Sequence, residues 1–210
     1  MSSRPSQRAN NVAYYWRNRE MEIARVRIRQ QGTVEMLREL RQVPCADCGG
    51  QFQPHQMDFD HRDPATKSFN VMTGRAMLMA TPRLMAEVAK CDVVCVNCHR
   101  LRTKHVAVDR QRTPPRAPSE KRRMARWNED SALLASLRNV PCADCGGRFP
   151  ACAMDFDHRD PAMKVAPVSR LVGRATHAQI LAEAAKCDIV CANCHRLRTY
   201  VERMQIYERE

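Results

Sequence analysis

The chain has no long apolar run and no apolar N-terminus. Its first eleven residues are polar and do not resemble a secretion signal. No stretch approaches the roughly 20 apolar residues that a membrane span requires. We therefore expect a cytoplasmic protein without a membrane partner. Because cysteines stay reduced in that compartment, paired cysteines indicate metal sites rather than disulfides.

Lysine is also scarce, since only six of the 35 basic residues are lysines. With 23 acidic residues, the chain carries a net charge of +12. This charge favours a polyanionic partner, and arginine suits bidentate contact with phosphate. A basic protein that is merely soluble would have the same charge, so charge alone leaves the partner open.

Two near copies of one sequence make up most of the chain. Residues 43–50, 57–64 and 91–100 recur as residues 140–147, 154–161 and 187–196. We predict a basic helical segment (1–32), copy one (33–103), a Pro/Arg-rich linker (104–129), copy two (130–200) and a helical C-terminal tail (201–210). Each copy has about 70 residues, a size at which domains usually need a metal or disulfides.

Local patterns predict some of the elements. Residues 11–31 are compatible with a helix, and Gly32 is predicted to end it. Residues 57–61 alternate as a strand does, with Phe59 facing inward, and Pro64 ends the strand. The alternation places Asp58 and Asp60 on the same side, where Asp58 is either a metal ligand or, as we favour, part of a solvated face.

Each copy contains two C-x-x-C pairs, the first of which is followed by two glycines. This spacing directs two sulfurs at one ion, and glycine permits the tight turn beneath it. Four thiolates make a closed, structural zinc site, so we predict two structural Zn²⁺ sites. Their ligands are Cys45, Cys48, Cys95 and Cys98 in copy one and Cys142, Cys145, Cys191 and Cys194 in copy two. An alternative ligand set replaces one cysteine by Cys91 or His99.

A carboxylate and two imidazoles accompany each cysteine set: Asp60, His61 and His99, and in copy two Asp157, His158 and His195. A carboxylate and one imidazole on a divalent ion, with a second imidazole free to accept a proton from water, suit phosphodiester hydrolysis. The same histidines would also fit a purely structural role beside the zinc, and spacing does not decide between the two.

The order of these residues resembles the HNH endonucleases that carry a four-cysteine zinc site. The resemblance covers about 55 residues of each copy, from the first C-x-x-C through the Asp-His pair and its following proline to C-x-x-C-H. It does not cover residues 1–32, the linker or the tail. It implies an α+β fold of two tandem ββα-metal (His-Me finger) modules with flanking helices.

The resemblance also implies roles for individual residues. His61 and His158 would be the general bases, and Asp60 with His99, like Asp157 with His195, would bind a catalytic Mg²⁺ or another divalent ion. Where the family usually has an asparagine that braces the loop, this chain has Lys90 and Lys186, five residues before the third zinc-ligand cysteine of each copy (Cys95 and Cys191).

These observations predict an endonuclease that hydrolyses DNA, double-stranded DNA in the first place, with RNA as another possible substrate. Both copies are expected to be active, so that one chain could act as a built-in dimer without a small-molecule cofactor. The alternative is a non-catalytic zinc protein that binds DNA. Phosphate contacts are predicted for Arg62, Arg75, Arg100, Arg102, Arg159, Arg174, Arg196 and Arg198.

Overall fold

The computed structural model describes residues 7–73, 78–109 and 117–207. The chain divides into two compact units. Unit 1 comprises residues 1–44 and 59–93, and unit 2 comprises residues 45–58 and 94–210. This division runs through copy one, whereas the whole of copy two lies in unit 2. The domain boundaries predicted from the sequence repeat stay a prediction.

Unit 1 is built on two long helices and a small apolar core. It contains α1 (Gln7–Arg17), α2 (Arg19–Glu39), α3 (Thr81–Val88) and most of strands β1 (Met57–His61) and β2 (Cys91–Cys95). The two strands form a two-stranded sheet. The core consists of Leu37, Phe59, Val71, Leu84 and Cys91. Five buried side chains make a modest core, as expected for a module of this size.

Unit 2 contains the complete second copy. Its elements are α4 (Val96–Asp109), α5 (Pro118–Leu137), β3 (Met154–His158), α6 (Val168–Leu171), α7 (His177–Ala184), β4 (Cys187–Cys191) and α8 (Ala192–Tyr207). Strands β3 and β4 pair antiparallel, with Met154 opposite Cys191 and His158 opposite Cys187. One apolar cluster, centred on Leu134 and Ile180, packs α5 against α7. The described helices and small antiparallel sheets make an α+β fold, as predicted.

Strand β1 forms where the alternation predicts it. Met57, Phe59 and His61 face inward along the strand, and Asp58 and Asp60 are less buried. The strand ends at His61, and Pro64 lies beyond it in a short 3₁₀ turn over Pro64–Thr66. The side chain of Asp63 caps that turn by accepting a hydrogen bond of 2.9 Å from the backbone N–H of Ala65. The same cap recurs at Asp160 in copy two.

The predicted helix end at Gly32 is wrong, because α2 continues through this residue to Glu39. A glycine inside a helix costs about 1 kcal/mol relative to alanine, which is too little to end a helix held by packing. The packing comes from the last turns of α2, where Leu37 is fully buried in the core of unit 1.

Replacing Gly32 by alanine is therefore expected to stabilise the protein by about 1 kcal/mol. An alanine Cβ at this position meets no atom within 4 Å. Urea denaturation followed by circular dichroism measures the change. The matched control is Gly49→Ala, which also meets no atom within 4 Å but has φ of +69°. That variant should be destabilised, and a stabilising effect of both substitutions would contradict the backbone argument.

Helices reach into the segment that we predicted to be a linker. Helix α4 ends at Asp109 and α5 begins at Pro118, with proline in the first turn, where its missing N–H costs nothing. The prolines of residues 113–118 predict an extended segment. Residues 110–116 lie outside the described residues, Ala117 is extended, and Pro118 is already in the first turn of α5. Among the described helices, none is both long enough and apolar enough to cross a membrane.

Candidate metal centres and Asp-His-His sites

The structure gathers the predicted cysteine ligands into two four-cysteine clusters, both of them in unit 2. In each cluster the four sulfurs lie within 4.8 Å of one another. Zn–S bonds of about 2.3 Å fit a tetrahedron of this size, so each cluster could hold a structural metal ion such as zinc. The clusters are Cys45, Cys48, Cys95 and Cys98, and Cys142, Cys145, Cys191 and Cys194.

Backbone N–H groups favour the thiolate form at the first cysteine of each cluster. Gly49 and Gly146 adopt φ of +69° and +68°, which lets the chain turn beneath the sulfurs. The backbone N–H of Cys191 donates to Sγ of Cys142 at 3.1 Å. Burial alone would raise the pKa of the Cys142 thiol, but backbone N–H donors from Cys145 and Cys191 outweigh it and lower the pKa to about 7.

Cys91 and Cys187 are not part of either cluster. Both thiols are buried, and burial raises their pKa to about 11. They are therefore protonated thiols that pack as small apolar groups, which disfavours the alternative ligand set with Cys91. His99 is also absent from the cluster of copy one.

In copy two, the predicted Asp-His-His residues line one cavity of about 370 Å³. Asp157 and His158 come from the end of β3, and His195 comes from the first turn of α8. The Nε2 atom of His195 lies 3.5 Å from Oδ1 of Asp157. Two ligands of one small divalent ion, each bound at about 2.1 Å, would be separated by a similar distance. These two side chains therefore fit a shared ion.

The other aspartate of β3, Asp155, orients His195. Its Oδ2 atom lies 2.8 Å from Nδ1 of His195, which fits an Nδ1–H donor and points Nε2 toward Asp157. Burial opposes ionisation of Asp155, but the hydrogen bonds from His195 and Arg100 dominate and lower its pKa to about 2. The equivalent Asp58 lies 2.9 Å from Nδ1 of His99. The preferred prediction that Asp58 belongs to a solvated face is wrong, because this residue is a partner of the site histidine.

The predicted general base His158 is paired with a buried glutamate. Its Nε2 atom lies 2.9 Å from Oε1 of Glu183 on α7. A hydrogen bond from Lys186 to Glu183 lowers the pKa of this carboxyl to about 2 despite burial. Glu183 is therefore anionic at neutral pH and accepts Nε2–H from His158. The Nδ1 atom of His158 is then the nitrogen that can take up a proton.

Copy one repeats this pair within unit 1, where Nε2 of His61 lies 2.8 Å from Oε1 of Glu87. Lys90 donates to Glu87 at 2.7 Å and to the carbonyl of Thr66 at 3.0 Å. The lysine thus ties the glutamate to the loop that follows β1. Asp60 and His61 lie in unit 1, and His99 lies in unit 2.

Six of the eight arginines predicted to contact phosphate form ion pairs with carboxylates of the chain itself. Arg198, for example, contacts Asp144, Asp157 and Asp188. Arg75 lies outside the described residues, and Arg174 follows α6 on a loop. The paired arginines are Arg62, Arg100, Arg102, Arg159, Arg196 and Arg198. Their contacts to a nucleic acid stay a prediction.

Sequence reasoning missed Glu87 and Glu183 altogether. The signal was present in the repeat, since residues 86–92 read AEVAKCD and residues 182–188 read AEAAKCD. It also missed two cations on the wall of the second cavity, Lys164 and Arg138. Among the described residues, no group accepts a hydrogen bond from the buried Nε of Arg138.

No protein-family model, curated protein or solved structure matches the chain significantly. The chain is therefore not assigned to a family. The resemblance to HNH nucleases stays a prediction from the sequence of the two copies.

Proposed function

We propose that the protein is a metal-dependent endonuclease of the HNH type that hydrolyses phosphodiester bonds of DNA. The proposal is carried by one observation: Asp157, His158 and His195 line a single cavity, and each histidine is oriented by its own carboxylate. This arrangement supports different tasks for the two rings, since Nε2 of His195 faces Asp157 as a metal ligand would, and Nδ1 of His158 is left to act as the base.

The chain's own groups support each part of hydrolysis. Nδ1 of His158 takes a proton from the attacking water, and Glu183 stabilises the imidazolium that results. Lys164 and Arg138 supply positive charge to the cavity wall, where a phosphate would lie. A divalent ion held by Asp157 and His195 would neutralise charge on the phosphate and on the leaving oxygen. The water oxygen bonds to phosphorus as the P–O3′ bond breaks, and the leaving 3′-oxygen takes a proton from solvent, so the proposed products carry a 5′-phosphate and a 3′-hydroxyl.

The second candidate is a zinc protein that binds DNA without cutting it. It is favoured by the burial of the two proposed bases, since only 6% of each side chain of His61 and His158 is exposed. Water would have to reach Nδ1 from the cavity. The two candidates therefore differ in a measurable way, in whether phosphodiester bonds are broken.

A nicking assay on supercoiled plasmid with Mg²⁺ or Mn²⁺ tests the proposal. The wild-type protein should relax the plasmid only when the divalent ion is added. The His61→Ala/His158→Ala double variant should lose about 10²- to 10⁴-fold in rate, the usual contribution of a general base. Its zinc content and circular dichroism should match those of the wild type.

Two results would overturn the nuclease proposal: no metal-dependent nicking by the wild type, or equal nicking by the folded double variant. Retention of plasmid in a gel-shift assay without cleavage would support the second candidate. A labelled RNA of the same sequence, tested in parallel, shows whether RNA is also a substrate.

A further inference from the structure

Within unit 2, each histidine-orienting carboxylate is held by an arginine from the other copy. Asp155, which orients His195 in copy two, accepts a hydrogen bond of 2.7 Å from Nη1 of Arg100 in copy one. Asp58, which orients His99 in copy one, accepts bonds of 2.5 and 3.2 Å from Arg196 in copy two. The exchange is reciprocal, although the arginines are far from these carboxylates in sequence.

A second reciprocal contact fixes the helices that carry the arginines. The backbone N–H of Asn97 donates to Oδ1 of Asn193 at 3.2 Å, and the backbone N–H of Asn193 donates to Oδ1 of Asn97 at 3.1 Å. Both asparagines are 4% exposed. They lie in the first turns of α4 and α8, where backbone N–H groups have no partner within the helix. The two copies thus meet through a self-complementary contact of the kind found in twofold dimers.

We propose that Arg100 and Arg196 are positioning residues, each for the metal-binding histidine of the opposite copy. This inference rests on the proposed function, because it gives these arginines a task at the same sites. Each arginine fixes one carboxylate, and that carboxylate fixes the tautomer and the orientation of one imidazole. Neither copy then holds a fully oriented site without the other, which is a physical reason for the two copies to remain on one chain.

Charge and burial favour this role over direct phosphate contact. Asp58 and Asp155 have side chains only 17% and 22% exposed, and a carboxylate at such a position depends on its donors. A phosphate that captured Arg100 would leave Asp155 with His195 as its remaining strong donor. The carboxylate that orients the imidazole would then have lost the arginine that holds it in place.

Full-length variants in which only one copy keeps its proposed general base separate the two sites. His61→Ala leaves nicking to copy two, and His158→Ala leaves it to copy one. Arg100→Gln should lower the nicking rate by about tenfold or more in the first background, the usual effect of losing a group that orients a metal ligand, and by clearly less in the second. Arg196→Gln should show the opposite preference. The surface variant Arg38→Gln, whose partner is Glu35 at 3.7 Å, is the matched control and should change neither rate.

A readout independent of activity is the tautomer of His195, followed by NMR of ¹⁵N-labelled histidine at mildly alkaline pH and assigned with His195→Ala. The wild type should show a ring protonated at Nδ1, and Arg100→Gln should convert it to a mixture. Equal loss of rate in both backgrounds, or an unchanged His195 spectrum, would overturn the positioning role. Absence of nicking with the expected spectral change would instead defeat only the nuclease proposal.

Discussion

Replacing Cys142 by serine is expected to leave one zinc ion per chain instead of two and to unfold copy two. The four sulfurs of this cluster connect the turn at Gly146 with β4 and the start of α8. Structural zinc contributes roughly 10–16 kcal/mol in small zinc peptides, whereas a whole domain is stable by only about 5–15 kcal/mol. The loss therefore exceeds what the small apolar cluster around Leu134 and Ile180 can offset.

Zinc content by atomic absorption and the thermal melt by circular dichroism measure this effect. The matched control is Cys152→Ser, because Cys152 lies outside both clusters and has no equivalent cysteine in copy one. That variant should keep two zinc ions and the wild-type melt. A strong chelator should reproduce the unfolding in the wild type. If Cys142→Ser still bound two zinc ions, or melted like the wild type, the cluster would not be a structural site.

Sequence reasoning worked where structure depends on local spacing. The C-x-x-C pairs and the alternation of Met57–His61 specify the cysteine clusters and a strand over short distances. It failed at Gly32, where a local cost of about 1 kcal/mol is outweighed by the packing of Leu37 further along the same helix. A weak local preference is a poor guide wherever an apolar face continues beyond it.

The partners of the site histidines could not be predicted for a different reason. Glu183 reaches His158 only because α7 packs beside β3, and Arg100 reaches Asp155 only because the two copies meet through their asparagines. Both contacts are long-range consequences of packing. The duplicated glutamate was visible in the sequence, but its partner was not.

Replacing Glu87 and Glu183 together by glutamine should nearly abolish nicking, although no atom of either residue needs to touch the substrate. A glutamine amide can donate to Nε2 of the histidine, which would place the ring proton on Nδ1, the nitrogen proposed to act as the base. In serine proteases, the equivalent change of a histidine-orienting aspartate to asparagine lowers turnover by about 10⁴-fold, because the histidine then carries its proton on the wrong nitrogen. We expect a loss of about 10²- to 10⁴-fold here.

The measurement is the rate of plasmid nicking by protein that retains two zinc ions. Glu35→Gln, which changes an exposed partner of Arg38, is the control for charge and should nick at the wild-type rate. Glu183 also accepts hydrogen bonds from the backbone N–H of Val165 and from Lys186, so the glutamine variant tests more than one contact. An additional Glu183→Asp variant keeps the charge but shortens the reach to His158. If the folded double variant nicked at the wild-type rate, these glutamates would only hold the loop, and His158 would not depend on its partner for its tautomer.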